Sequence, residues 1–335
     1  MTAAADALFQ PVRALGAMLR AGKVTSVELT ELSLQRLETF GPRLGALATL
    51  MRDSALAEAR ARDEEAKTGQ WRGPLHGIPY GAKDLLATKG VPTTWGAEPY
   101  RQQVFDYDAT VVERLRQAGA VLVAKLAMVE LAGGMGYNNP DASYTGPGRS
   151  PWNAAYWSGG SSSGSGAATA AGLVAFAIGS ETSGSILTPA TFCGLSGLRP
   201  TYGLVSRHGA MALSFTLDTP GPLARSVEDA ALIYRLLNGP DPRDRQTLAW
   251  APDDPMPTLR RGAAGLRLAV MPDVERAGLD KEVLAAYDAA RRGDVATRTL
   301  AVDLLNRSLL LDLLPADLLR GLGLEWLFRL IIQPK

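Results

Sequence analysis

Two serine-glycine clusters carry the densest chemistry of this chain, GGSSSGSG at 159–166 and SETSGSILT at 180–188, separated by the apolar run AATAAGLVAFAIG. Glycine beside serine permits backbone angles that other side chains forbid. It also lets peptide N–H groups approach a bound ligand, so such loops can hold an oxyanion. Ser161 and Ser185 are therefore candidates for nucleophilic serine chemistry. A serine hydroxyl needs a base to take its proton, usually a histidine held by a carboxylate. Histidine is scarce here, with His76 and His208 the two present. A lysine made neutral by burial is the alternative base, and Lys83 follows HGIPYGA, a glycine, proline and apolar segment unlike the charged company of a surface lysine.

Other readings of the same residues fare worse. Gly160-Ser161-Ser162-Ser163-Gly164 matches the G-x-S-x-G string of a nucleophile elbow with Ser162 at its centre. That motif needs a strand directly before it, whereas SPWNAAYWSG reads as turn-like, and His208 follows too closely for the rest of such a fold. A dinucleotide loop fails because Gly164-x-Gly166 is followed by Thr169, and no Gly-Lys-Ser/Thr marks a phosphate loop. By composition the run resembles a flexible linker, but the alanines and valine after it argue for packing. Cys193, beside Phe192 and Gly194 with no basic neighbour, reads as a small buried hydrophobe. His76 reads as a structural residue and His208 as a loop or pocket residue. Asp84 is placed to orient Lys83 or to cap a helix, and Tyr137, Asn138 and Asn139 to line a substrate cleft.

Composition narrows the classes further. The 335 residues are 46% apolar and 21% charged, ordinary for a globular protein. With 35 basic and 34 acidic residues there is no electrostatic footprint for nucleic acid or an anionic membrane, so a small molecule is the expected partner. One cysteine and two histidines favour a metal-free, cofactor-free mechanism. The amino terminus lacks the pattern of a signal peptide, making the cytoplasm the expected location. The leucine-rich stretch around 300–332 is interrupted by Asp303, Arg307, Asp312, Asp317, Arg320 and Arg329, too often to span a bilayer, and reads as helical.

The elements that must position these residues alternate between helix and strand. Thr25 and Glu28 form a capping-box pattern opening a helix over 25–40, and a largely solvated helix follows at 53–67. After the punctuation at 73–79, Lys83 stands just beyond a short buried segment. A helix at 108–117 precedes the buried strand GAVLVAK at 119–125. Residues 133–165 read as a long loop, and 166–178 as a small-residue buried helix leading into the strand-like VAFAIG. A helix begins at Ser226 and stops at Gly239-Pro240, then a strand at 265–273 precedes another helix. The alternation argues for α/β layers without internal repeat.

Three ordered blocks make the chain recognisable: HGIPYGAKD at 76–84, GGSSSGSGAATAAG at 159–172 and GSETSGSILTPATFCGLSGLRPTYGLVS at 179–206. Together they resemble the amidase signature family from about residue 10 to about 290, with the linking phrases DATVVERLRQAGAVLVAKLAM and LDTPGPLARSVEDAALIYRLLNG. The resemblance implies an α/β fold, a mixed central sheet covered by helices on both faces. It implies Ser185 as nucleophile, Ser161 as bridging serine after a cis Gly160–Ser161 peptide, and Lys83 as base. The backbone N–H groups of Thr182, Ser183, Gly184 and Ser185 would form the oxyanion hole. The implied reaction is hydrolysis of a carboxamide through an acyl-enzyme. A glutaminase component of a tRNA-dependent amidotransferase, which needs a partner subunit, has much the same motifs. A non-catalytic remnant or binding protein is the alternative of another class.

Two departures stand inside the third block: Ser183 occupies a position usually glycine, and Leu187 one usually arginine. The chain is thus expected to comprise an N-terminal helical segment (1–70), the catalytic core (71–290) and a divergent leucine-rich helical tail (291–335). The family sequence that the tail replaces normally supplies further strands and part of the substrate pocket. A homodimer is open on this reading.

Overall fold

Thr25 and Glu28 close the box expected of them: the Glu28 N–H donates to Thr25 Oγ1 (3.1 Å) and the Thr25 N–H to Glu28 Oε2 (2.7 Å). The computed structural model describes residues 7–133, 142–249, 251–252, 254–259, 276 and 280–292. In chain order the elements that matter are α1 (Val12–Arg20), α2 (Ser26–Phe40), β1 (Leu47–Leu50), α3 (Arg52–Lys67), β2 (Pro79–Lys83), α4 (Thr110–Gln117) and β3 (Val121–Leu126). Then come β4 (Arg149–Ser150), β5 (Asn153–Trp157), α5 (Ser163–Ala170), β6 (Phe176–Glu181), α6 (Leu187–Cys193), β7 (Ser196–Gly197), β8 (Thr219–Ala224) and α7 (Val227–Leu237).

Six strands form one mixed sheet in the order β1-β3-β2-β6-β8-β7. Its centre is parallel, with β2 between β3 and β6, while β1 and β8 run antiparallel to their neighbours. Because strand side chains alternate between faces, Tyr80, Ala82, Leu122, Phe176 and Ile178 enter one core with residues of α1, α4 and α7. Val121, Val123 and Ala177 enter the other with residues of α2, α3 and α5. Helices therefore cover both faces. Residues 1–70, expected to be a helical segment, also place β1 in the sheet, paired to β3.

Several local expectations need correcting. Lys83 is the last residue of β2 and not a step beyond it. The helix α3 is largely solvated, as expected, with Ala55, Ala59 and Arg62 its buried residues. The stretch 133–165 is not wholly loop: Arg149 pairs with Trp157 and Ser150 with Asn153 in a small antiparallel ribbon. The small-residue helix starts at Ser163 and ends at Ala170, and Gly172, with φ of +62°, turns the chain toward β6. The segment TPGPLA (β8) hides its strand character behind two prolines. The Leu198 N–H donates to the Pro222 carbonyl (3.1 Å), so the side lacking N–H groups faces away from β6 and the ladder with β6 survives. The strand expected at 265–273 and the tail at 291–335 lie outside the described residues, apart from the end of a helix over Lys281–Arg292.

Candidate active site

The carboxyl ends of β2 and β6 lie side by side because the two strands pair in parallel, Tyr80 with Phe176 and Ala82 with Ile178. In open α/β sheets that end of the strands is where ligands bind. Lys83 closes β2, Ser180 and Glu181 close β6, and Ser185 stands in the turn between β6 and α6. Ser161 comes from the segment entering α5. Its carbonyl accepts the Val129 N–H (3.0 Å), and the neighbouring Ser162 N–H donates to the Ser185 carbonyl (3.2 Å), tying the two serine clusters together. The Gly160–Ser161 peptide is cis.

Glycine is needed here for close approach. A Cβ at Gly164 would lie 2.5 Å from Ala127 N and from Ala46 O, and one at Gly179 would lie 2.7 Å from Ser162 Oγ. Gly184 holds φ at +97°, a left-handed conformation that favours glycine. Ser183 is not among the positive-φ residues, which explains why the turn accepts a serine where the resembling sequences carry glycine.

Lys83 and Ser161 are fully buried and Ser185 is 3% exposed, so of the three only Ser185 reaches solvent. Lys83 Nζ donates to Ser161 Oγ (2.7 Å) and Ser180 Oγ (3.0 Å). Burial pushes the Lys83 ammonium down to about 7, against the opposing pull of the Asp218 and Glu181 carboxylates. The buried amine is therefore neutral in a large fraction of molecules near neutral pH.

Glu181 organises the turn that carries Ser185. Its Oε2 accepts the N–H groups of Ile186 (2.8 Å) and Leu187 (2.9 Å). Leu187 itself is buried, and the guanidinium facing Glu181 belongs to Arg199, with Nε 3.4 Å from Oε1. Asp218 accepts the Thr182 hydroxyl (2.5 Å) and the N–H groups of Leu213 (2.7 Å) and Ser214 (2.9 Å). Ser180, Glu181 and Asp218 were missed as individual residues by sequence reasoning. Their only signal was membership in the quoted blocks, because nothing in their spacing announces a contact with Lys83.

Asp84 neither orients Lys83 nor caps a helix. It lies 3.0 Å from Lys125 Nζ, both side chains fully buried, and accepts the Thr94 N–H (3.0 Å). His76 is structural, its Nδ1 accepting the Arg72 N–H (3.3 Å), and burial lowers its basicity. His208 lines a cavity of about 200 Å³ that Ser180, Thr182 and Asp218 also border. Cys193 is buried, and loss of hydration pushes its thiol up to about 12. Tyr137, Asn138 and Asn139 lie outside the described residues. Among the described residues, no group of three or more His, Cys, Asp or Glu side chains is arranged to hold a metal ion.

This sheet and its sequence blocks are those of an α/β enzyme family acting on C–N bonds, and residues 28–293 match the family model named Amidase. The chain belongs to the amidase family. It is 46% identical over 279 residues to a glutamyl-tRNA(Gln) amidotransferase subunit from Anaeromyxobacter dehalogenans, covering 83% of this chain and 56% of that relative. The protein of the same name from Methylococcus capsulatus is 43% identical over 296 residues, covering 86% and 59%. Among solved structures, native peptide amidase from Stenotrophomonas maltophilia superposes with a TM-score of 0.71 at 41% identity, covering 75% of this chain and 53% of that one. An amidase family protein from Bacillus anthracis gives 0.79 at 31%, covering 86% and 58%. The chain thus spans little more than half the length of these proteins.

Proposed function

We propose that this chain is an amidase that hydrolyses a carboxamide through a Ser185–Ser161–Lys83 relay housed within residues 71–290. The observation that carries this reading is a fully buried lysine, shifted to about 7, with its Nζ 2.7 Å from Ser161 Oγ. In its neutral form Lys83 accepts the Ser161 proton while Ser161 takes the proton of Ser185. Ser185 Oγ bonds to the amide carbon, and the C–N bond breaks as the proton returns to the leaving nitrogen. Water then attacks the acyl-enzyme ester by the same relay in reverse roles, releasing the carboxylate. The developing oxyanion would be met by backbone N–H groups of the 182–185 turn, each such donor being worth on the order of 10²–10³ in rate.

The curated relatives named as glutamyl-tRNA(Gln) amidotransferase subunits favour a second reading, in which ammonia comes from glutamine and is handed to a partner protein. A fluorophosphonate probe tests what the two share. Labelling of the full chain should vanish in Ser185→Ala and be lost at neutral pH in Lys83→Ala. Unlabelled but folded protein would favour a non-catalytic remnant, and labelling that survives Ser185→Ala would remove Ser185 as the nucleophile. Ammonia release from a simple amide without a partner, set against release from glutamine, separates the two enzyme readings.

A further inference from the structure

Next to Lys83 in the chain, Asp84 turns its carboxylate to Lys125 Nζ (3.0 Å), and both side chains are fully buried. Apolar residues of similar volume hold a core about as well as a buried ion pair, so such a pair is better explained by the geometry it imposes. Here that geometry is the turn at 93–96. Lys125 Nζ also donates to Thr93 Oγ1 (2.8 Å), while Asp84 Oδ2 accepts the Thr94 N–H (3.0 Å) and the Thr94 hydroxyl (2.5 Å). The Asp84 carbonyl accepts the Trp95 N–H (3.1 Å), so main chain and side chain of Asp84 grip the same turn.

The turn in its place holds the segment that meets Ser161. The Trp95 carbonyl accepts the Leu131 N–H (2.8 Å), and a Cβ at Gly96 would lie 2.7 Å from the Met128 carbonyl oxygen. Two residues before Leu131, the Val129 N–H donates to the Ser161 carbonyl (3.0 Å), and a Cβ at Gly160 would lie 2.8 Å from Val129 Cγ2. The Lys83–Ser161 hydrogen bond (2.7 Å) closes the circuit. Contacts therefore run from Lys83 through Asp84, Thr94 and Trp95, then Leu131 and Val129, to Ser161 and back to Lys83. Among the described residues, the non-glycine residues with positive φ are Trp95 (+55°), Leu131 (+50°) and Ala132 (+60°), all in the two segments this circuit joins. Left-handed backbone outside glycine persists where the surroundings over-determine it, and it clusters at functional sites.

We infer that the Asp84–Lys125 pair is a positioning element of the relay: through the 93–96 and 129–132 segments it holds the Ser161 hydroxyl against Lys83. This rests on the reading of Lys83 as the base. The Asp84 carboxylate does not touch the Lys83 ammonium; it sets where Ser161 stands. Asp218 and Glu181 are the carboxylates that act on Lys83, while Lys125 faces Asp84 and also feels Asp108. Because the pair carries no net charge, removing both halves leaves the field at Lys83 nearly unchanged, and a shift in its titration then reports geometry. Water admitted by a loosened circuit would weaken the desolvation that keeps Lys83 neutral and favour the ammonium.

The test follows the rate of fluorophosphonate labelling of the full chain across pH. Asp84→Leu with Lys125→Met replaces the pair by apolar residues and should keep a melting transition, yet label about 10²-fold more slowly, the loss expected of a misplacement of about 1 Å. The pH below which its reactivity falls should move upward from about 7. Thr94→Val removes one hydroxyl contact, keeps the backbone N–H, and should slow labelling several-fold with a shift in the same direction; it decides the question if the double variant does not fold. A folded variant that labels at the parental rate, or more slowly with its pH profile unmoved, overturns the positioning role and leaves a purely structural pair. A parent chain that is not labelled at all removes the relay and this role together.

Discussion

With its ammonium desolvated and its nitrogen 2.7 Å from Ser161, Lys83 ties the proposed activity to pH. The neutral form is the base, so kcat/KM should fall as pH drops through about 7, a limb read from a pH–rate profile. Asp218 is the larger of the two carboxylates that favour the charged lysine. Asp218→Asn removes that pull, keeps atoms able to hydrogen bond, and should move the limb to lower pH by up to about one unit. An unmoved limb would mean that Lys83 does not set it. The same shift has a cost in stability. The folded value lies below the unfolded one, so between about pH 7 and the ordinary lysine range the unfolded chain binds the extra proton and stability rises with pH. Lys83→Met should therefore melt higher than the parent at pH 7, by on the order of 5 °C, while losing about 10²–10⁴ in rate. The candidate relay residues were legible from resemblance to three motif blocks. The carboxylates around them were not, because Asp218 reaches Thr182 and the field of Lys83 only through the pairing of β6 with β8.

At the scale of elements, the glycine-serine run behaves as packing and not as linker. In α5, Gly164 lies against the Ala127 and Ala46 backbones, and Gly166 lies against Pro189, where a Cβ would approach to 2.9 Å. Backbone cannot rotate out of the way as a side chain can. Gly164→Ala should therefore cost about 2–3 kcal/mol in urea unfolding and displace Ser161, which is three residues away. A loss under about 1 kcal/mol would show that the helix can shift without harm. The same pattern explains which elements were readable beforehand. The helix α2 announces itself by its capping box and β3 by its apolar, β-branched run. The strand β8 does not, since a strand containing Pro220 and Pro222 is tolerated only with its N–H-less side turned from β6, a condition invisible in TPGPLA.

For the whole molecule, the two cores meet through the parallel strands β2 and β6, which end at Lys83 and Glu181. Phe176 is fully buried and stacks on Tyr80 with ring centroids 5.2 Å apart, joining β6 to β2 behind the site. Phe176→Ala should lower the unfolding free energy by about 3–5 kcal/mol, read by denaturant titration, through lost burial and the cavity left behind. Because that stack fixes the strands carrying Lys83 and Ser180, the same variant should also lower fluorophosphonate reactivity in protein that remains folded. Reactivity equal to the parent would separate the site from this part of the core.

The order of the motifs, the alternation of helix and strand and the family were determined by sequence alone, since glycine, proline and apolar patterning act within a few residues and survive as strings. Only the tertiary structure decided what surrounds the reactive groups. It buried Lys83 enough to bring it to about 7, turned Glu181 onto the Ile186 and Leu187 N–H groups with Arg199 facing its other oxygen, and gave Asp84 to Lys125. These outcomes depend on desolvation and on contacts between strands distant in the chain, and neither quantity is written in the spacing of residues.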